Sequence, residues 1–234
     1  MEFFDSLISE VSLTLGKGRS EFCPYDCLNV WQQEDYSHVI LQRDTVCELE
    51  GTGFNLVTSS PVESGVYVIG DEIDGIKGKR RFARICVVQI ESDTESQKNY
   101  NLIRKIDYIK YHFFPVGYMI RTSSRAHKEG VRVSRMAVKE GISFGKIGNT
   151  LIKKYLENPS VKGVRVYFVT DENIDFEKIE ALAEKSNGIT ETLNHIMNSV
   201  KFDCDTCNLK PVCDEVEGMK ELHFRTSGMG EYNG

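Results

Sequence analysis

Apolar positions recur every three to four residues over 1–20. Phe3, Phe4, Leu7, Ile8, Val11 and Leu15 fall on one stripe, the period of an amphipathic helix. Gly16 and Gly18 end it. The period is lost over 21–36, which reads as irregular around Cys23-Pro24-Tyr25-Asp26-Cys27. From 38 to 90 the pattern becomes β-rich. Strands are expected at 38–42, 46–50, 55–58, 66–69 and 82–90. Turn signals separate them: Gly51-Thr52-Gly53, Ser64-Gly65, and the run from Asp74-Gly75 to Gly78. Short strands joined by tight turns imply mostly antiparallel pairing.

Helical spacing returns over 95–112, where Tyr100, Ile103, Ile106 and Ile109 share a face. Two more helices are expected at 131–140 and 144–157, the second stopped by Asn158-Pro159. A strand of β-branched and aromatic residues follows at 163–170. Asp175 can cap a helix over 176–186, and Thr190 another over 191–200. Strands first, then helices with one late strand, read as an α+β fold. The expected architecture is a mixed, mostly antiparallel sheet flanked by helices, with a C-terminal Cys-rich metal-binding segment. Three regions are expected: a helix and Cys-bearing loop over 1–36, an α+β domain over 37–200, and a Cys-rich tail over 201–234.

A chain of 234 residues can bury a core without disulfide staples. A net charge of −6 argues against a general nucleic-acid binder, which carries a basic face. The densest basic run, Lys77, Lys79, Arg80 and Arg81, reads as a solvated turn. No stretch approaches the roughly 20 apolar residues of a membrane span, so no membrane contact is expected. The acidic start lacks the basic region and apolar run of a signal peptide, which points to the cytoplasm. There, seven cysteines are expected as thiols or metal ligands and not as disulfides.

The sharpest local signal is Cys204-Asp205-Thr206-Cys207, with Cys213 six residues later. A Cys-x2-Cys pair converges two thiolates on one centre, and a third can close over it after one more turn. Three thiolates suit an iron–sulfur cluster or a zinc ion, and either wants a fourth ligand. His223 is one source. Cys23 or Cys27 is another, and a small molecule on a vacant iron is a third. Polar flanks at Asp203, Asp205, Asn208, Lys210 and Asp214 suit a loop and not a core. Cys47 and Cys86 sit among apolar residues in strand patterns and read as core. His195, beside Leu193 and Ile196, reads as half-buried packing.

The run from Gly130-Val131-Arg132-Val133-Ser134-Arg135 to Gly141 resembles the acetyl-CoA synthase subunit of the carbon monoxide dehydrogenase/acetyl-CoA synthase complex. So do Phe144-Gly145-Lys146-Ile147-Gly148, the segment Val164 to Glu172, and upstream Phe54-Asn55-Leu56-Val57 and Val66 to Asp74, in colinear order over roughly residues 44–215. The resemblance implies that this domain leads into cysteines holding the [4Fe–4S] part of a nickel–iron–sulfur cluster, where Cys204, Cys207 and Cys213 fall. It thereby favours [4Fe–4S] over zinc. The family's fourth cysteine is replaced here by His223. The sequence has no Cys-Gly-Cys for a distal nickel, so acetyl-CoA synthesis is not carried over.

The leading expectation is therefore a cluster-binding accessory or electron-transfer protein with a redox, corrinoid or one-carbon protein partner. A structural zinc module using His223 is the alternative. An enzyme with an open iron site, its substrate held by Arg125, Arg132 and Arg135, is a further one.

Overall fold

The computed structural model describes residues 4–16, 18, 20–91, 96–123, 128–197, 207 and 209–215. In chain order the elements are α1 (Asp5–Leu15), β1 (Ser20–Pro24), β2 (Thr45–Thr58), β3 (Gly65–Ile69), β4 (Gly78–Ile90) and α2 (Ser96–Tyr108). After them come β5 (Tyr118–Ser123), β6 (Lys128–Ser134), α3 (Arg135–Lys139), α4 (Phe144–Leu156), β7 (Val161–Val169), α5 (Phe176–Met197) and α6 (Lys210–Glu215). Among the described residues, no helix is long and apolar enough to cross a membrane.

The strands form one seven-stranded sheet in the order β1-β3-β7-β4-β2-β6-β5. Four neighbouring pairs are antiparallel and two, β2–β4 and β3–β7, are parallel. This is the mixed α+β sheet that the pattern implies. The two parallel pairs are non-local: β3 lies in sequence between β2 and β4 but pairs elsewhere.

Helices cover both faces. Phe82 of β4 lies 6.0 Å from Phe144 of α4, and Phe144 stacks at 4.7 Å on Phe168 of β7. Gly148 of α4 sits so close to the sheet that a Cβ there would come within 2.4 Å of Val66. Side chains alternate along a strand, so Arg81 points the opposite way, over the ring of Phe176 at the start of α5, 4.8 Å from its centroid. α4 thus covers one face and α5 the other. Ser186 ties α5 to the sheet by donating to the Asn55 carbonyl at 3.0 Å. α1 packs beside α5 through Leu7, Val11 and Leu15, all within the single core.

Several elements depart from the sequence pattern. Residues 45–58 form one unbroken strand, with no turn at Gly51-Thr52-Gly53. A Cβ at Gly51 would meet the Phe82 carbonyl oxygen at 1.7 Å, and one at Gly53 would meet Glu129 Oε2 at 2.0 Å. These glycines permit close approach in a central strand. The expected helix at 131–140 is strand up to Ser134, whose side chain then accepts from Ala137 N–H and caps the five-residue α3. The alternation of Glu129, Val131 and Val133, all buried, is the period-two signal that decides it. The two helices expected around Thr190 are one helix, in which Thr190 Oγ1 donates to the Ser186 carbonyl at 3.3 Å. Residues 38–41 form no strand. Ile40 N–H donates to the Met119 sulfur, and the Ile40 carbonyl accepts from Arg132. β1 and β5 lie in stretches with no strand expectation.

Candidate functional site

Five of the seven cysteines have described side chains. Cys47 and Cys86 are fully buried, as read from the sequence. Burial pushes the Cys47 thiol up to about 11. Cys86 Sγ accepts from Arg84 Nη1 at 3.1 Å, yet burial still drives its thiol upward. Neither is a ready thiolate. Cys23 lies half-buried in β1, and burial, then Glu21 and Glu72, raise its thiol. Cys27 is exposed in the bend that follows.

Cys207 is half-buried and sits three residues ahead of α6, its carbonyl accepting from Lys210 N–H at 3.1 Å. Cys213 is carried by α6 itself. Leu209 is buried, and a Cβ at Gly188 of α5 would come within 2.9 Å of Val212. Ser186 faces the sheet and Gly188 is about 200° further round at 100° per residue, so α6 packs on the side of α5 turned away from the sheet. The Cys213 side chain, Cys204 and His223 lie outside the described residues. Among the described residues no group of three His, Cys, Asp or Glu side chains is arranged to hold a metal.

The N-terminal cysteines lie elsewhere. Cys23 is the register partner of Val66, and partners in an antiparallel pair point to the same face. Val66 meets Gly148 of α4, so Cys23 is on the α4 face. Asn149 of α4 accepts from Asp26 N–H at 3.3 Å and donates to the Asn29 carbonyl at 3.0 Å. The loop bearing Cys27 is therefore tied to α4 as well.

The structure reveals a buried polar cluster that sequence reasoning missed. Arg84 of β4 and Glu129 of β6 form a two-point pair, with Nη2 donating at 2.7 Å and Nε at 2.9 Å. Arg84 also donates to Asn55 Oδ1, which accepts from the Tyr155 hydroxyl at 2.8 Å. Glu129 and Cys86 hold the guanidinium charged against the cost of burial. Tyr118 Oη is buried with no partner among the described residues. The one available signal was an arginine inside the apolar run 82–90. This cluster braces three adjacent strands and is closed to solvent.

A cleft of about 690 Å³ opens where the parallel strands β3 and β7 end, lined by Glu21, Gly70, Asp71, Glu72, Arg80 and Thr170 among others. Arg80 crosses it, bonding Glu172 at 2.9 Å and Asp71 at 3.3 Å. Three members of the basic run are thus paired: besides Arg80, Lys79 meets Glu50 and Arg81 meets Glu180. Arg132 is bound by Glu48 at 2.7 Å and by Gln42 at 3.1 Å. Arg135 is exposed, and Arg125 lies outside the described residues.

No curated protein matches the chain. A family model does match, that of the CO dehydrogenase/acetyl-CoA synthase complex beta subunit, over residues 36–174. That span runs from the segment before β2 to the loop after β7. It takes in the parallel pairs, the buried Arg84–Glu129 brace and α4, and stops short of α5 and the C-terminal cysteines. More than half of the sequence lies within it, and the chain belongs to the family of the CO dehydrogenase/acetyl-CoA synthase complex beta subunit.

Proposed function

We propose that this member of the family binds a [4Fe–4S] cluster through Cys204, Cys207 and Cys213 and works as an accessory or electron-transfer protein beside a redox, corrinoid or one-carbon protein. The observation that carries the reading is the contrast between thiol environments. Cys47 and Cys86 are sealed in the core. Cys207 is half-buried just before α6, and Cys213 rides on that same helix. A half-exposed cysteine just ahead of a helix, with a further cysteine in that helix's sequence and a Cys-x2-Cys spacing upstream, is a pattern that clusters use. When bound, such a cluster supplies one-electron redox capacity. The chain's part is to supply the cysteines of the segment that leads into α6, which packs against α5. The family description names a subunit of a complex, which supports a protein partner for this chain.

The open-iron enzyme reading has less support. Arg132, which it needs for an anionic substrate, is already engaged by Glu48 and Gln42.

The test is metal analysis of anaerobically purified protein, with visible absorption and electron paramagnetic resonance spectra. About four irons per chain, a brown colour and a reducible signal are expected. Colourless protein with one zinc would overturn the cluster and leave a zinc module of the Cys3His type.

A further inference from the structure

β1 is an end strand of the sheet, and among the described residues it pairs with β3 alone. Half of the backbone N–H and C=O groups of such a strand point away from its neighbour. The opposite end of the sheet differs. There Tyr118 and Met119 of β5 are buried, and the 34–40 segment lies beside them, with Ile40 N–H donating to the Met119 sulfur. On β1, Ser20, Glu21 and Pro24 are exposed.

The two faces of β1 carry different chemistry. Tyr67 alternates with Val66, which meets α4, so Tyr67 is on the face turned from α4. An aromatic row crosses three strands there. Tyr167 of β7 stacks on Tyr67 of β3 at 5.1 Å, and Phe22 of β1 lies 4.6 Å from Tyr67. The row stops at half-buried Phe22, on the outer edge. On the α4 face, Glu21 is the register partner of Val68, and both line the cleft of about 690 Å³. Among the described lining residues, five carboxylates (Glu21, Asp71, Glu72, Asp171 and Glu172) face one guanidinium, that of Arg80. Asp71 and Glu172 hold Arg80, Glu72 accepts from Phe144 N–H, and Asp171 accepts from Asn173. Glu21, exposed on β1, makes no ion pair among the described residues.

We propose that the outer edge of β1 docks an extended segment of a partner protein, which adds to the sheet as a further strand and carries a Lys or Arg next to an aromatic or large apolar residue. Side chains alternate along a strand. The cation beside Glu21 therefore enters the rim of the acidic cleft, while the next residue packs on the outer side of Phe22. Backbone pairing supplies affinity, and the two side chains supply selection. Charge complementarity favours this occupant over a second copy of the chain. An antiparallel copy centred on Phe22 would set Cys23 opposite Glu21 and leave that carboxylate without a cation. The surface is made by β1, β3 and β7, so the proposal is independent of the C-terminal cysteines and of any cluster.

The experiment titrates the full-length chain into a short fluorescent peptide that alternates Lys with Phe and Val, at about 0.15 M salt. A second peptide has Glu in place of Lys. Two more keep Lys and are N-methylated along one edge or the other of the peptide strand. The Lys peptide is expected to bind, and the Glu peptide to bind at least about tenfold more weakly. One of the two methylated peptides should lose about tenfold or more, because it cannot donate to β1. Glu21→Lys, at an exposed position, should weaken the Lys peptide by about fivefold or more. Equal binding of both methylated peptides and the unmodified one would reduce the contact to charge and overturn the proposal. So would undiminished binding to Glu21→Lys, or no binding of the Lys peptide to wild-type protein. Sedimentation of the wild-type chain as a dimer that Phe22→Asp converts to a monomer would give the edge to a second copy, and would overturn it too.

Discussion

Arg84 and Glu129 lie 45 residues apart in the chain yet meet at 2.7 Å between Nη2 and Oε2, with only 3% and 2% of their side chains exposed. β2 separates their two strands, and the pair reaches across it above Gly53. A Cβ at Gly53 would come within 2.0 Å of Glu129 Oε2 and 2.9 Å of Arg84 Nη2. The missing side chain in β2 is the space the ion pair occupies.

Removing one partner leaves the other charge buried. Glu129→Ala is therefore expected to lower stability by about 3–5 kcal/mol, read as a lower urea midpoint at unchanged slope. Replacing both with apolar residues of similar volume, as in Arg84→Met/Glu129→Leu, is expected to recover most of that loss. A double variant as unstable as Glu129→Ala would show that the pair contributes net stability and not merely mutual neutralisation.

The glycines of the central strands are expected to differ sharply. Gly51→Ala places a methyl 1.7 Å from the Phe82 carbonyl oxygen, whereas at Gly130 the nearest neighbour is the Leu49 carbonyl oxygen at 3.8 Å. Gly51→Ala should cost about 3 kcal/mol or more, at or beyond the top of the usual range for overpacking. Gly130→Ala should change stability by less than about 1 kcal/mol. Thermal midpoints of the two variants measure the contrast, and equal shifts would mean that β2 relaxes away from β4.

The Glu48 carboxyl is held below its ordinary value of 4.5 by the hydrogen bond from Arg132, with Arg132, Lys79 and Arg121 adding attraction and burial opposing. A carboxylate whose folded value is depressed contributes stability that is fully present above its unfolded value. That stability is lost as pH falls through the folded one. Wild-type stability is thus expected to fall below about pH 4.5, with a shallower fall in Glu48→Gln. Parallel urea midpoints for the two proteins between pH 3 and 6 would contradict the assignment.

Local patterns carried much of this fold, and the exceptions share a cause. The strands at 65–69, 78–90 and 161–169 and the helix at 144–156 follow from periodicity and turn residues lying within a few positions of each other. Gly51-Thr52-Gly53 looked like a turn because glycine's two roles, bending and close approach, are indistinguishable without the neighbouring strand. Thr190 looked like a cap because a threonine hydroxyl bonds nearby backbone whether a helix starts or continues there, and in α5 it donates back to the Ser186 carbonyl. The same limit applies to the site. Core status for Cys47 and Cys86 could be read from their apolar flanks. The side of the sheet on which Cys23 lies depends on β1 pairing with β3 and on Val66 facing α4, and neither is a local property. The Arg84–Glu129 pair was hidden for the same reason.

The thiols offer a last prediction that needs no metal. A thiol reacts as its thiolate, so reactivity follows exposure and depressed pKa. Cys27 is exposed in its bend, Cys23 is half-buried with its thiol raised by burial and by Glu21 and Glu72, and Cys47 is fully buried with its thiol near 11. Brief treatment of native protein with iodoacetamide at pH 8, followed by mass mapping, should modify Cys27 first and Cys23 more slowly. Cys47 and Cys86 should stay unmodified until urea unfolds the chain. Raising the pH to 9 should speed Cys23 and leave Cys47 untouched, because burial blocks access as well as ionisation. Modification of Cys86 in native protein at a rate near that of Cys27 would mean that α4 lifts from the sheet. The Arg84–Asn55–Tyr155 cluster would then open to solvent on the timescale of the labelling.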